Sequence, residues 1–169
     1  MDIKERAREQ LNWLERVLLK VPGFKGYHER ELRRDSDRLQ REYVVRELKR
    51  VKSGMNKALQ AASRAKDFER LRECEGFVRE LDKSIAAVRY ADQGYSGFFD
   101  LVKIREPELD RVYECDARLA EAAAALAAPA AAPLDGVDLA PLRAGLEGID
   151  GLFEQRQALL KGWAGGGER

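Results

Sequence analysis

Apolar residues recur at spacings of three and four along most of this chain, and this spacing is typical of an α-helix. The longest such pattern covers residues 28–65, contains no proline and includes Leu48, Val51 and Met55. These positions fall on one face of a helix, and a one-sided apolar face is stable when it packs against other helices. We therefore predict an all-α protein, an elongated antiparallel helical bundle of four principal helices over residues 1–128.

The ends of the predicted helices are marked by residues that interrupt this pattern. A first helix over residues 2–20 should end before Pro22, because proline keeps its predecessor out of the helical backbone region. The apolar phase slips after residue 65, so Asp67 is a candidate N-cap for a third helix, although one continuous helix also fits the pattern. Pro107 favours the first turn of a fourth helix. The inward positions expected on the third and fourth helices are Phe68, Leu71, Cys74, Val78, Leu81, Ile85 and Val88, then Leu109, Val112, Cys115, Leu119 and Leu126.

The composition changes after the predicted bundle. Residues 129–138 are rich in alanine and proline, which bury little surface, and we interpret them as a linker. A C-terminal helix is predicted over residues 139–163, followed by a disordered tail over 164–169. Three glycines inside this helix lower its stability, so it needs a partner surface, either the bundle or a second copy of the chain. Its heptad-like, coiled-coil stripe consists of Leu139, Leu142, Leu146, Ile149, Phe153, Leu160 and Trp163.

Two short segments of similar composition lie between predicted helices, Gly-Phe-Lys-Gly-Tyr at 23–27 and Gly-Tyr-Ser-Gly-Phe at 94–98. Glycine relaxes the backbone and aromatic rings supply apolar surface, so each segment predicts a structured corner. The rings either plug one end of the bundle or form a patch that binds a protein partner. The candidate contact residues are Phe24, Tyr27, Tyr95, Phe98 and Phe99.

Charge is distributed unevenly along the chain. Residues 1–66 hold 18 Lys and Arg against 10 Asp and Glu, whereas residues 67–169 hold 13 against 20. The two halves can pack on each other, or the basic half can meet nucleic acid or an anionic membrane surface. The acid-free stretch 48–66 has no aromatic ring to stack on a base, which also fits a solvated face. Within segment 46–66, the candidate polyanion-binding residues are Lys49, Arg50, Lys52, Lys57, Arg64 and Lys66.

No signature of a common enzyme class is found, so we expect a protein without catalytic activity, cofactor or metal. Cys74 and Cys115 lie on apolar stripes beside acidic residues, which disfavour a thiolate, and we interpret both as buried structural thiols. His28, the single histidine, is interpreted as a solvated or packing residue. Glu31 and Asp35 lie one helical turn apart and are the first pair to test for an unfamiliar carboxylate enzyme site.

The favoured function is that of an interaction or scaffold protein, which presents a rigid helical surface and the aromatic corners to a protein partner or to a second copy. The alternative is a polyanion-binding module that uses the basic segment. The N-terminal residues show no apolar signal core, and no run of apolar residues is long enough for a membrane span. We therefore expect a cytoplasmic protein.

Two motifs carry a resemblance to a known family. Residues 22–35 read Pro-Gly-Phe-Lys-Gly-Tyr-His-Glu-Arg-Glu-Leu-Arg-Arg-Asp, and residues 94–100 and 108–113 carry Gly-Tyr-Ser-Gly-Phe-Phe-Asp and Glu-Leu-Asp-Arg-Val-Tyr. This pattern resembles an uncharacterised all-helical family of bacterial proteins with a PGFxGYxxRExRRxxD-like motif. The resemblance covers about residues 1–128 and implies a helical fold but no activity.

Overall fold

The computed structural model describes residues 29–91, 106–131 and 136–164 of the 169-residue chain. These residues form four α-helices: α1 (Glu29–Ala65), α2 (Phe68–Tyr90), α3 (Glu106–Ala127) and α4 (Ala140–Ala164). A short 3₁₀ helix, Ala128–Ala131, follows α3 and packs on α1 and α3. No strand occurs in the described ranges, which confirms the all-α prediction for this part of the chain. The predicted first helix and both aromatic corners lie outside it.

A tight turn of two residues separates α1 from α2. Lys66 has a left-handed backbone with φ 57°, and its amide donates to the Ser63 carbonyl at 3.2 Å. The Asp67 amide donates to the Ala62 carbonyl at 3.0 Å, which completes a Schellman ending of α1. The Asp67 carboxylate then accepts from the amide of Arg70 at 3.0 Å and caps α2. The predicted N-cap is confirmed, and α1 and α2 are two separate helices.

Each of the four helices packs against two of the others. α1 contacts α2 and α3, while α4 contacts α3 and α2. Polar bonds join the same pairs: Lys52 Nζ on α1 lies 2.6 Å from Asp82 Oδ1 on α2, and the Ser84 hydroxyl on α2 donates to Asp150 Oδ2 on α4 at 2.9 Å. In this structure the C-terminal helix therefore packs on helices of its own chain.

The apolar stripes supply the core, with one change of phase on α2. Phe68, expected to face inward, is 70% exposed, whereas Phe77 is fully buried and was not on the predicted stripe. A helix turns by about 100° per residue, so Phe68 is rotated by about 120° from Cys74 and Phe77 by only about 60°. The inward prediction for Phe68 was therefore wrong. The largest fully buried apolar side chains are Phe77, Leu48, Met55, Leu81, Leu119, Ile149, Leu160, Val44, Val51 and Val88.

The glycines of α4 differ in their surroundings. A Cβ placed on Gly145 would lie 2.9 Å from Leu126 Cδ1, so this glycine permits α3 and α4 to approach closely. A Cβ on Gly148 or Gly151 would meet no atom within 4 Å. Close helix contact therefore explains one of the three glycines.

Candidate anion-binding site

An open groove with a volume of about 640 Å³ lies along α1, beside the end of α2. Six of its nine lining residues are cations and one is an acid, Glu42. Val45 and Ser53 complete the lining. Such a charge ratio in a concave site concentrates positive potential and attracts anions. The six cations, called here the groove cations, are Arg38, Arg41, Arg46, Lys49, Arg50 and Arg89.

The helical repeat of α1 places most of these residues. Arg38, Glu42, Val45 and Lys49 follow one another at spacings of four, three and four, so they form one ridge along the helix. This ridge lies next to the buried stripe that packs α1 on its neighbours. The remaining cation, Arg89, comes from the last turn of α2. The site therefore depends on the packing of α1 against α2.

Arg41 is the most firmly held of the groove cations. Its Nε donates to Asp37 Oδ2 at 3.0 Å, and its Nη1 donates to the carbonyl of Ala91 at 2.9 Å. Its Nη2 lies 2.9 Å from the same carboxylate oxygen, and the side chain is only 18% exposed. Because both ends of the guanidinium are bonded, Arg41 presents a fixed positive charge at the groove wall.

A buried carboxylate holds two further groove cations. Glu47 is 4% exposed and accepts from Arg46 Nε at 3.3 Å and from Arg50 Nη1 at 2.9 Å. The guanidinium carbon of Arg46 also lies 4.9 Å from the centre of the Tyr43 ring, within the range of a cation–π contact. Arg46 and Arg50 remain about two thirds exposed, at 66% and 63%. Their charges are thus anchored at one side and open to solvent at the other.

A buried ionic cluster adjoins the groove through Asp37. Arg156 of α4 is 2% exposed, and its Nε donates to Asp116 Oδ1 of α3 at 2.5 Å. Its Nη2 donates to Asp37 Oδ1 of α1 at 2.5 Å, while Gln40 Nε2 donates to the carbonyl of Asp116 at 2.6 Å. Asp37 therefore bonds both Arg156 in the core and Arg41 in the groove. This cluster ties three helices together.

Burial and ion pairing shift the pKa values of this cluster in opposite directions. Loss of hydration raises the pKa of the Asp116 carboxyl above its ordinary value, and the charge and hydrogen bond of Arg156 oppose this rise. Loss of hydration alone would lower the pKa of the Arg156 guanidinium, but Asp116 and Asp37 outweigh it and raise that pKa. Arg156 therefore stays protonated at every pH at which the protein is folded.

The charge of the groove stays positive after its supporting acids are included. The groove cations number six, and among the described side chains the carboxylates that touch them are Glu42, Asp37 and Glu47. Glu42 lies 3.8 Å from Arg38, and both side chains are more than 60% exposed, so this pair contributes little. The set carries a formal net charge of +3, and Asp37 is shared with Arg156.

The structure separates the six basic residues selected from the sequence into two groups. Lys49 and Arg50 line the groove. Lys52 instead forms an ion pair with Asp82 of α2. The other three, Lys57, Arg64 and Lys66, are exposed and do not line the groove.

Four groove cations were not among the residues selected from the sequence, and neither was the buried cluster; one of the four, Arg46, stands at the start of the basic segment 46–66. Arg38 and Arg41 precede the basic segment, and Arg89 lies on another helix. The signal for the cluster was present: Arg156 falls between Phe153 and Leu160 on the inward stripe of α4. A charged residue at an inward position requires a buried partner, which the stripes of the other helices had to supply.

Both cysteines are buried, as their positions on the stripes predict. The thiol of Cys115 donates to the carbonyl of Leu152 at 3.4 Å. Burial and, after it, the charge of Asp116 raise the pKa of this thiol above its ordinary value. A raised pKa reduces the thiolate fraction, which fits a structural role.

Several residues singled out in the sequence lie outside the described side chains. These are His28, the carboxylate pair Glu31 and Asp35, Trp163, and the aromatic corner residues Phe24, Tyr27, Tyr95, Phe98 and Phe99. Among the residues that the structure does describe, no group of His, Cys, Asp or Glu side chains is arranged to hold a metal ion. None of the helices in this part combines the length and the apolar character that a membrane span requires.

Comparisons of the chain with protein-family models, curated proteins and solved structures find no match. The resemblance to a bacterial helical family therefore stays a prediction, and the site is interpreted from its own geometry.

Proposed function

We propose that this protein is a non-enzymatic polyanion-binding module, and that the groove of α1 and α2 is its binding site. The observation that carries this proposal is the concave site itself, which six cations and one acid line. Such a site attracts anionic ligands over several ångströms and raises their local concentration. This proposal takes up the alternative function predicted from the sequence and assigns it to the groove cations in place of the whole basic segment.

The way in which the cations are held distinguishes this surface from an ordinary solvated face. Long charged side chains on a solvated face are individually mobile, and ordering them on a ligand costs conformational entropy. In the groove, Asp37 fixes Arg41 and Glu47 holds Arg46 and Arg50. Part of the entropy cost of binding is therefore met by folding, which favours a ligand site.

The same proposal includes an antiparallel bundle as the framework of the groove. Lys52 pairs with Asp82, and Arg41, nearer the start of α1, reaches Ala91 just after α2. The partner of Lys52 is residue 82, and the partner of the earlier residue Arg41 is the later residue 91. Residue numbers thus increase along α2 as they decrease along α1, which supports antiparallel packing of these two helices. In this arrangement the first half of α1 and the last turn of α2 lie side by side and form the two walls of the groove.

The experiment compares two triple variants with the same change in charge. The groove variant carries Arg38→Gln, Lys49→Gln and Arg89→Gln, which leaves in place the arginines that pair with Asp37 and Glu47. The control carries Lys57→Gln, Arg64→Gln and Lys66→Gln on exposed positions outside the groove. Circular dichroism checks that both variants keep the helicity of the parent protein.

We expect the parent protein and the control to be retained on a heparin column and the groove variant to elute earlier. Affinity for heparin is measured by titration at several salt concentrations. Its dependence on salt concentration should become weaker in the groove variant alone. Each lost phosphate-like contact lowers the slope of log affinity against log salt by about 0.9. Equal elution of the two variants would contradict the location of the site, and no retention of the parent would contradict the function.

The scaffold function stays a prediction beside this proposal. Its contact residues, Phe24, Tyr27, Tyr95, Phe98 and Phe99, lie outside the described residues. Its second element, the C-terminal helix, packs in this structure on α2 and α3 of the same chain. The described residues therefore favour the groove as the first site to test.

A further inference from the structure

We propose that the natural ligand of the groove is a short oligophosphate, meaning a chain or cluster of phosphoryl groups recognised without a nucleobase. This inference rests on the proposed function and narrows it to one chemical class. It follows from what lines the groove, from the size of the groove and from the type of cation that it presents.

Among the described residues, the lining of the groove offers no ring on which a base can stack; Tyr90, next to Arg89, is 74% exposed but does not line the groove. Proteins that bind single strands combine a basic track with exposed aromatic rings, and each stacked base contributes about 1–3 kcal/mol. None of the nine lining residues is aromatic, and Val45 is the single apolar one. The nearby ring of Tyr43 is half-buried and already contacts the guanidinium of Arg46. Recognition in the groove therefore falls to groups that bind charge.

The dimensions of the groove favour a short ligand. Its volume of about 640 Å³ lies within the range of about 300–1,000 Å³ that is usual for small-ligand sites. Arg38 and Lys49 are eleven residues apart, or about 16 Å along the helix axis. This row is long enough to contact several consecutive phosphoryl groups.

Arginine supplies five of the six groove cations, and its planar fork matches the oxygens of a phosphoryl group. Arg41 has five N–H donors, and its contacts with Asp37 and Ala91 use three of them. Arg46 and Arg50 each use a single nitrogen on Glu47. Every anchored arginine thus keeps donors for a ligand. A phosphoryl group can accept these hydrogen bonds, and its negative charge complements the positive charge of the groove.

The first experiment is a titration at constant ionic strength with three ligands: sodium tripolyphosphate, oligo(dT) at the same phosphate concentration, and sodium sulfate. We expect tripolyphosphate to bind with one site per chain and at least about tenfold more tightly than either oligo(dT) or sulfate. Equal or tighter binding of oligo(dT) would overturn the oligophosphate assignment while leaving the polyanion function intact. Failure of tripolyphosphate and heparin alike would overturn both.

A second arm identifies the source of the phosphoryl groups. Vesicles that contain a phosphoinositide bisphosphate are compared with the soluble inositol phosphate head group of the same lipid. Vesicle binding that tripolyphosphate displaces supports a lipid source, and binding of the soluble compounds alone supports a free one. Vesicle binding that tripolyphosphate fails to displace would overturn the inference, because the lipid would then bind elsewhere.

Matched variants separate recognition by arginine forks from charge alone. The double variant Arg46→Lys, Arg50→Lys keeps the charge and removes two forks, and Arg64→Lys outside the groove is the control. We expect the double variant to lose about tenfold in tripolyphosphate affinity while heparin retention changes little. Unchanged tripolyphosphate affinity in a variant with native helicity would overturn the inference.

Discussion

Arg156 Nε donates to Asp116 Oδ1 at 2.5 Å across the α3–α4 contact, at a position where the arginine is 2% exposed. The other side of the guanidinium bonds Asp37, so one buried cation bonds two carboxylates from two different helices, and Arg41 supplies a second positive charge beside Asp37. Forming a buried pair contributes little net free energy, because desolvation offsets attraction, but removing one partner is costly. The cluster therefore restricts how α1, α3 and α4 can pack together.

Arg156→Met should be strongly destabilising, because it leaves the buried carboxylate of Asp116 without a cation and leaves Asp37 with Arg41 alone. We expect the free energy of unfolding in urea to fall by about 3–5 kcal/mol. The control is Arg118→Met on the exposed side of α3, with an expected change within about 0.5 kcal/mol. Adding Asp116→Asn to Arg156→Met should recover part of the loss, because the buried charge is then removed while Asp37 keeps Arg41. Equal stability of the Arg156 and Arg118 variants would show that the cluster is not sealed from water.

The stability contributed by Asp150 should depend on pH in a defined direction. Burial raises the pKa of this carboxyl above its ordinary value, although the hydrogen bond from Ser84 opposes the rise. A raised pKa in the folded state means that the favourable contribution is complete below the unfolded pKa and is lost as pH rises through the folded pKa.

The stability of Asp150→Asn relative to the parent should therefore increase as pH rises from about 3 to 7, because the amide keeps a partner for Ser84 and carries no charge. Urea unfolding at several pH values measures this difference. Glu121→Gln, an exposed change on α3 that leaves the surroundings of Asp150 unaltered, is the control and should show a flatter profile. A difference that shrinks with rising pH would contradict the direction of the shift.

Lys66→Gly should stabilise the protein. Lys66 has φ 57°, and a residue with a Cβ is strained there by about 1–2 kcal/mol relative to glycine. After the greater chain entropy of glycine in the unfolded state is subtracted, we expect a net gain of about 0.5–1 kcal/mol in thermal or urea unfolding. Lys57→Gly, within the exposed face of α1, is the control and should lose about 1 kcal/mol. A change in unfolding free energy of the same sign for both substitutions would contradict the left-handed backbone at Lys66.

Two alanine substitutions in α4 should have different effects. Gly148→Ala adds a methyl group in open space, so we expect the usual helix gain of about 0.5–1 kcal/mol. Gly145→Ala should gain less or lose stability, because its Cβ would lie 2.9 Å from Leu126 Cδ1 and Leu126 would have to shift. Parallel urea denaturation of both variants tests this, and an equal gain at Gly145 would mean that α3 and α4 are less closely packed.

Local signals in the sequence predicted much of the fold. Asp67 was identifiable as a cap because the apolar phase slips just before it and its side chain can accept from the first turn of a helix. The buried stripes of α1 and α4 followed from their repeat. The position of Phe68 did not, because an aromatic residue at the first turn of a helix looks equally apolar whether it lies above the core or beyond its edge.

The candidate site was less predictable, because it depends on contacts between helices. Lys49 and Arg50 belong to a basic run that is visible in the sequence, but Arg89 joins them only when α2 packs on α1. The separation of Lys52 from this set also depends on its partner, Asp82, thirty residues away. Counting charges along one helix locates a basic surface. Which of its cations line the groove, and how deep the groove is, depend on the neighbouring helix.

The contact between Arg156 and Asp37 joins positions that are 119 residues apart, whereas the turn at Lys66 connects two helices that are adjacent in the sequence. Local contacts form early in folding because little chain entropy is lost in closing a short loop, and distant contacts form late. We expect α1 and α2 to associate before α4 docks. Interactions absent from the folding transition state control how fast a protein opens. The ionic cluster should therefore contribute to kinetic stability, because it slows unfolding more than it speeds folding.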